Sequence, residues 1–385
     1  MRITDIEVIT FKSQSNTVGT KWGYGQWRDD PQPSVHAITK ISTDEGVSGY
    51  NTGGMGGYFQ GAFPSEVEAM VKNLLVGEDP LSREHLWNLM RDNHNFHELL
   101  IGNLDCALWD LAGRYAGMSA SQLMGKAREK VRAYASTFPN MGTPEDYAKF
   151  ALECKAQGYT AFKVHAYIYW NPITNQPAPR RPAFPKQDIE VCEAVHDAVG
   201  DEMTLMLDPW GIYTLDESIY VGRELERLGY YFLEHPMHEF RVEPYRRLCN
   251  ELDIAVCAPE HATWMHYSRA EWVLQGASDI GRIDVNFGGI TACKKAVDVY
   301  EAFGVPCEMH GGWFGNSAIL GATSEETCLF YERGLLRPEF DYEATPSYLN
   351  SPCDPMDDDG NVLLPQGHGL GMDFNWDYID DNRVA

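Results

Sequence analysis

Five polar residues recur at a nearly constant spacing and could share one catalytic site. Asp208, Glu234, Glu260, Asp284 and His310 are separated by 26, 26, 24 and 26 residues, and each lies at the end of a short apolar run. Three neighbouring carboxylates repel one another without a cation, and hard oxygen ligands of this number suit Mg²⁺. A carboxylate beside an imidazole orients it and stabilises its charged form, which makes Asp284 and His310 a candidate acid/base pair.

The elements that carry these residues alternate between β-rich runs and amphipathic helices from about residue 130. The spacing predicts strands at Val131–Thr137, Thr160–Val164, Thr204–Asp208, Tyr231–Glu234, Ile254–Ala258, Arg282–Val285 and Pro306–Met309, each followed by a helix. Units of this length indicate a parallel sheet, and seven or eight of them indicate a closed α/β barrel. The carboxyl ends of barrel strands meet at one mouth, so the five polar groups are expected to converge there.

The predicted fold is a modified (β/α) barrel of the TIM type with an N-terminal α+β capping domain. We expect the capping domain at 1–128, the catalytic barrel at 129–335, and a segment at 336–385 that returns to the cap. The polar and aromatic stretch 13–32 is expected to be a loop. A long insertion from Tyr167 to Lys186 interrupts one strand–helix unit, and loops of that length are usually functional.

The second predicted strand carries Lys163 and His165, which point to the same face because side chains alternate along a strand. We expect both in the barrel interior near the mouth. His165 has no carboxylate partner evident in the sequence, so we interpret it as an acid or hydrogen-bonding residue rather than a strong base. Three tryptophans follow strand ends and could stack on sugar rings, although core packing explains each one equally well: Trp210, Trp264 and Trp313.

The composition limits the classes of partner. With 56 acidic and 31 basic residues the net charge is −25, which disfavours binding to nucleic acid or to an anionic membrane. No apolar run is long enough to span a bilayer, and no signal-peptide core opens the chain. The nine cysteines contain no CxxC pair, which favours free thiols in a reducing cytoplasm. We expect a cytoplasmic homo-oligomer that acts on a small molecule.

At these motifs the sequence resembles the enolase superfamily, in its mandelate racemase-like subgroup. The resemblance covers nearly the whole chain and rests on the ordered series of strand ends, together with 103–113, which resembles the family's cap helix, and 369–371, which resembles its closing segment. It implies that Asp208, Glu234 and Glu260 bind Mg²⁺ and that Asp284 and His310 form the acid/base dyad. It also implies that Glu332 hydrogen-bonds the substrate carboxylate, and that loops 13–32 and 51–61 close over the substrate. The chain departs from the subgroup at His165, where a second lysine is usual.

The resemblance implies removal of a proton α to a carboxylate, with Mg²⁺ stabilising the enediolate. Two histidines and a lysine favour β-elimination, so we predict a metal-dependent hydro-lyase that converts a sugar acid, an aldonate or aldarate, to a 2-keto-3-deoxy acid. Trp22, Arg28 and Trp313 are candidate substrate contacts, and Arg180 and Arg181 in the long insertion also suggest an anionic substrate. The alternatives are an epimerase, racemase or cycloisomerase of a hydroxy acid or sugar lactone, and a non-catalytic barrel that keeps the metal site.

Overall fold

The computed structural model describes residues 1–19, 25–53, 63–165, 167–178, 182–338 and 340–384, without the side chains of 17–19 and 25–27. Trp22, Arg180, Arg181 and most of the predicted 51–61 loop lie outside these ranges.

The capping unit begins with an antiparallel meander of three strands, β1 (Ile3–Gly19), β2 (Gly25–Thr43) and β3 (Ser48–Asn51). The register of β1 and β2 runs from Ile3 opposite Thr43 to Gly19 opposite Gly25. The prediction of a loop at 13–32 is therefore wrong over 13–19 and 25–32, which lie in paired strands. The outer part of the β1–β2 pair is largely exposed, so its side chains need not alternate between apolar and polar. Its strand pairing is therefore not visible in the hydrophobic pattern.

Helices complete the cap. A helical stretch comprises α1 (Pro64–Glu66), a π-helical turn (Val67–Val71) and α2 (Lys72–Leu75), and three helices follow it: α3 (Arg83–Arg91), α4 (Glu98–Ala116) and α5 (Ala120–Met124). Residues 100–113 of α4 are buried on all sides, since the helix lies between the meander and the barrel.

The barrel has eight parallel strands among the described residues. In chain order they are β4 (Lys130–Thr137), β5 (Ala161–Val164), β8 (Thr204–Leu207), β9 (Phe232–Glu234), β10 (Ala255–Cys257), β11 (Gly281–Ile283), β12 (Cys307–Met309) and β13 (Phe330–Leu336), with a small hairpin of β6 (Trp170–Asn171) and β7 (Gln176–Pro177) in the long insertion. Hydrogen-bonded pairing runs β10-β9-β8-β5-β4-β13, and β11 pairs with β12. A parallel bridge between Cys257 and Ile280 joins β10 to β11, and the Cys307 N–H donates to the Thr327 carbonyl between the last two strands. The predicted barrel with its capping domain is confirmed.

The barrel helices are α6 (Pro144–Ala156), α7 (Pro185–Val199), α8 (Leu215–Arg227), α9 (Val242–Glu251), α10 (Met265–Leu274), α11 (Gly289–Phe303) and α12 (Phe314–Ala322), with a 3₁₀ turn at Gly200–Glu202. Two of them begin at capping boxes, in which a threonine accepts a backbone N–H and an acidic residue three positions later returns the bond: Thr143 with Asp146, and Thr214 with Glu217. These local signals set where the two helices begin.

The chain after the barrel contacts both units. Strand β14 (Asn361–Leu363) pairs antiparallel with β4, and helix α13 (Trp376–Asp381) lies beside β1. Buried Asp110 on α4 accepts hydrogen bonds from the N–H groups of Tyr50 and Leu370, which ties the meander, the cap helix and the C-terminal segment together.

All nine cysteines are free thiols. No described helix is long and apolar enough to cross a membrane.

Candidate active site at the barrel mouth

Three carboxylates from neighbouring strands form a compact oxygen cluster. Asp208 follows β8, Glu234 ends β9 and Glu260 follows β10, and oxygen atoms of the three lie within 4.8 Å of one another. All three side chains are buried. The even spacing in the sequence thus corresponds to adjacent strand ends in space.

Two buried cations balance part of this charge. Lys163 Nζ lies 2.9 Å from Glu234 and 2.6 Å from Glu332, and an Arg282 nitrogen lies 2.7 Å from Glu234. Histidines aside, the four carboxylates of Asp208, Glu234, Glu260 and Glu332 and these two cations leave a net charge of −2. A hard divalent cation matches both that charge and the oxygen donors, so the residues fit Mg²⁺.

Lys163 lies beneath the cluster rather than in the cavity. Its side chain is fully buried and contacts Asp208, Glu234 and Glu332. Burial lowers the pKa of Lys163, but Glu234 and Glu332 outweigh burial and raise it. An ammonium held this way neutralises carboxylates, and Lys163 is not among the described residues that line the cavity.

His310 and Asp284 are paired across adjacent strands. His310 Nδ1 lies 2.9 Å from Asp284 Oδ2, and the other oxygen, Oδ1, accepts hydrogen bonds from the backbone and side chain of Asn286. His310 Nε2 lies 3.4 Å from Glu260. Burial lowers the pKa of His310, but Glu260 and Asp284 outweigh burial and raise it to about 9.

His165 has a carboxylate partner, contrary to the sequence interpretation. Its Nδ1 lies 2.8 Å from the Thr137 carbonyl and its Nε2 lies 2.8 Å from Asp208. Because a carbonyl only accepts, Nδ1 donates its hydrogen to Thr137, and this bond directs Nε2 at Asp208. The partner comes from β8, which pairs with β5 in parallel register. The Trp210 ring contacts His165 edge-on at 5.4 Å.

Two further histidines surround Glu260 and were not singled out from the sequence. His261 Nε2 lies 2.8 Å and His235 Nδ1 lies 3.4 Å from its oxygens. Burial raises the pKa of Glu260, but His310, His261 and His235 outweigh burial and lower it well below its usual range. The sequence could have indicated both histidines by their position, since each directly follows a predicted metal ligand.

Two of the three cluster carboxylates, Asp208 and Glu260, open together with the histidines onto one cavity of about 940 Å³. The residues that line it include Asp208, Glu260, His165, His310 and Glu332 from the barrel, and Tyr342, Tyr348 and Asp354 from the C-terminal segment. Trp313 also lines it, and its indole N–H donates to Thr52 of the cap at 2.7 Å. Trp264 is absent from the described lining.

Two other residues were predicted to contact the substrate, and only one of them lies at the cavity. Arg28 lies on β2, half-exposed and paired with Asp30, away from the described lining of the cavity. Glu332 reaches the cavity, but its oxygens accept from Ser136, Arg282 and the Gly311 N–H and pair with Lys163. With its acceptors engaged by protein donors, Glu332 is placed to hold two cations.

Comparison with known families accounts for this arrangement. Residues 30–125 match the mandelate racemase/muconate lactonizing enzyme N-terminal domain, and residues 146–378 match the enolase C-terminal domain-like family. The chain belongs to the enolase superfamily. The predicted mandelate racemase-like recognition is therefore confirmed.

Among similar solved structures is a D-glucarate dehydratase from Agrobacterium tumefaciens complexed with magnesium, which is 36% identical, with a TM-score of 0.91 and 100% of both chains covered. A D-galactarolactone cycloisomerase from Agrobacterium fabrum is 28% identical over 91% of this chain and 92% of its own. An arabinonate dehydratase from Saccharolobus solfataricus is 28% identical over 74% and 75%. The predicted class, a metal-dependent carbon–oxygen lyase that uses Mg²⁺, is confirmed by the dehydratases among these relatives.

Proposed function

We propose that the protein is a Mg²⁺-dependent dehydratase of a sugar acid, an aldonate or aldarate, and produces a 2-keto-3-deoxy sugar acid. The observation that carries the proposal is that two imidazoles, His165 and His310, line one cavity together with Asp208 and Glu260 of the carboxylate cluster. The dehydratases among the relatives support this reaction class.

Asp208, Glu234 and Glu260 would hold the metal. Bound Mg²⁺ supplies positive charge that stabilises the negative charge developing on the substrate's carboxylate oxygens. Lys163 and Arg282 pair with the Glu234 carboxylate and fix its orientation in the metal-free protein. Such prior orientation reduces the reorganisation needed on binding.

His310 is the proposed base. Its Nδ1 is committed to Asp284, so proton transfer from the substrate's C2 falls to Nε2. Asp284 stabilises the imidazolium that forms, and Asn286 holds Asp284 in the orientation this requires.

His165 is the proposed donor to the leaving group. Its Nδ1 is fixed by the Thr137 carbonyl, which directs Nε2 toward the carboxylate cluster. As the C2–H bond breaks and its proton passes to His310, the C3–O bond breaks and the hydroxyl leaves as water with a proton from His165. The resulting enol tautomerises to the 2-keto-3-deoxy acid.

A panel of aldonates and aldarates tests this proposal. The purified enzyme with Mg²⁺ should form a keto acid from at least one member, detected as its semicarbazone, and excess EDTA should stop the reaction. Full activity in EDTA, or no keto acid from any member, would contradict the proposal.

A lactone cycloisomerase is the second candidate, since the Agrobacterium fabrum relative is matched over nearly its whole length. The same site residues could exchange the α proton of a lactone. Sugar lactones in the panel separate the two functions by mass spectrometry, because opening of a lactone by isomerisation conserves the mass, whereas dehydration of an open-chain acid loses one water.

A further inference from the structure

The segment that carries Glu260 lies outside regular secondary structure and is held by two buried charged side chains. Strand β10 ends at Cys257 and helix α10 begins at Met265. Between them, Glu239 accepts three consecutive backbone N–H groups, from Glu260 at 2.7 Å, His261 at 2.5 Å and Ala262 at 3.0 Å. One carboxylate therefore fixes three successive peptide units.

Arg269 holds the carbonyl groups of the same segment. It donates to the Glu260 carbonyl at 2.7 Å and to the Ala262 carbonyl, and it also reaches the Arg282 carbonyl at 3.1 Å. Its side chain is fully buried. The segment is thus bound through its amides by an anion and through its carbonyls by a cation.

This arrangement also links the proposed metal ligands to each other. Glu239 lies five residues after Glu234, in the connection between β9 and α9, so it joins the loops of the second and third carboxylates. Arg269 joins the third loop to β11, the strand that precedes Asp284. Charge-assisted hydrogen bonds of this kind are stronger than neutral ones and fix geometry more tightly.

We propose that Glu239 and Arg269 are positioning residues that set the affinity for the metal by fixing the backbone of Glu260. The proposal rests on the proposed metal site. Outer partners of metal ligands change metal affinity by about 10–100-fold when they are altered.

Glu239→Gln tests the role with little change in shape. The amide replaces one acceptor oxygen by an NH₂ group that faces backbone N–H donors, so part of the hold on residues 260–262 is lost. We expect the Kd for Mg²⁺, measured by calorimetry on metal-free protein, to rise about 10-fold or more. The kcat at saturating Mg²⁺ and the Tm of the metal-free protein should change little.

Two further variants separate geometry from charge. Glu239→Asp keeps the negative charge near His235 but shortens the side chain, so its Kd should fall between wild type and Glu239→Gln. Glu243→Gln, a surface residue of α9 paired with Arg246, is the matched control and should bind Mg²⁺ like wild type.

An unchanged Kd in Glu239→Gln, or a lower Tm without a shift in Kd, would overturn the positioning role and leave the proposed function standing. If Glu239→Gln does not fold, the decision passes to Glu239→Asp, where an unchanged Kd overturns the role and a raised Kd supports it. Absence of Mg²⁺ binding by the wild-type protein would overturn the metal site and this role together.

Discussion

His165 and His310 reach the carboxylate cluster through different neighbours and have different partners. His310 is held by an aspartate that lies outside the metal cluster, whereas Nε2 of His165 lies 2.8 Å from Asp208, a proposed ligand. The first arrangement suits a base, because Asp284 stabilises the charge that the imidazole gains. The second suits a donor, because Nδ1 is occupied by the Thr137 carbonyl and Nε2 is the nitrogen that faces the cluster.

We predict that His310→Asn lowers kcat by about 10²–10⁴-fold, the range typical for loss of a general base. Asp284→Asn should cost less, because the imidazole remains and only its orientation and stabilisation change. Steady-state kinetics with the identified substrate measure both. Near-normal turnover of His310→Asn would remove the dyad from the mechanism.

A second prediction concerns Lys163, whose ammonium is buried among carboxylates. Lys163→Met leaves Glu234 and Glu332 with one cation fewer, and breaking a buried ion pair costs about 3–5 kcal/mol. Urea unfolding of the metal-free protein should show this loss. The control Lys149→Met removes an exposed pair with Glu153 and should change the free energy of unfolding by less than about 1 kcal/mol. Equal effects of the two would contradict the role assigned to Lys163.

The cap and barrel are joined by hydrogen bonds between particular elements. Trp313, at the start of α12, donates to Thr52 after β3, and it also lines the cavity. Trp109 of α4 donates to Thr291 of α11 at 2.9 Å but is not part of the described lining. The two bonds are similar in chemistry and differ in their distance from the site.

Trp313→Phe should therefore raise KM several-fold, because the cap is no longer tied to the cavity wall. Trp109→Phe serves as the comparison: both variants should lose about 1 kcal/mol of stability, but only the first should alter KM. A KM for Trp313→Phe equal to that of Trp109→Phe would contradict this account.

The sequence was sufficient for the barrel and for the spacing of its strand ends, since both follow from local alternation. The sequence did not allow prediction of contacts that depend on how strands pair. The His165–Asp208 contact needs the register of β5 and β8, and the ribbon at 13–32 has too little burial to show a period. The role of Arg282 could have been inferred from the sequence, because it lies two residues before Asp284 on one predicted strand and such positions share a face.

The buried charge of the site links metal binding to the stability of the folded chain. Asp208, Glu234, Glu260 and Glu332 are buried there with Lys163 and Arg282. A ligand that binds only the folded state stabilises it by about 2.7 kcal/mol at one hundred times its Kd. The Tm should therefore rise with Mg²⁺ concentration.

Glu234→Gln should abolish turnover and reduce this rise in Tm. A full rise in Tm for that variant would exclude Glu234 as a ligand.

The most direct test of the proposed chemistry is the reaction in D₂O, followed by ¹H NMR of both product and unreacted substrate. We predict conversion to the 2-keto-3-deoxy acid with no substrate of inverted configuration at C2, because one imidazole removes the proton and the other donates to the leaving group. Recovery of deuterated substrate with inverted C2, without keto acid, would show two competent bases and contradict the assignment as a dehydratase.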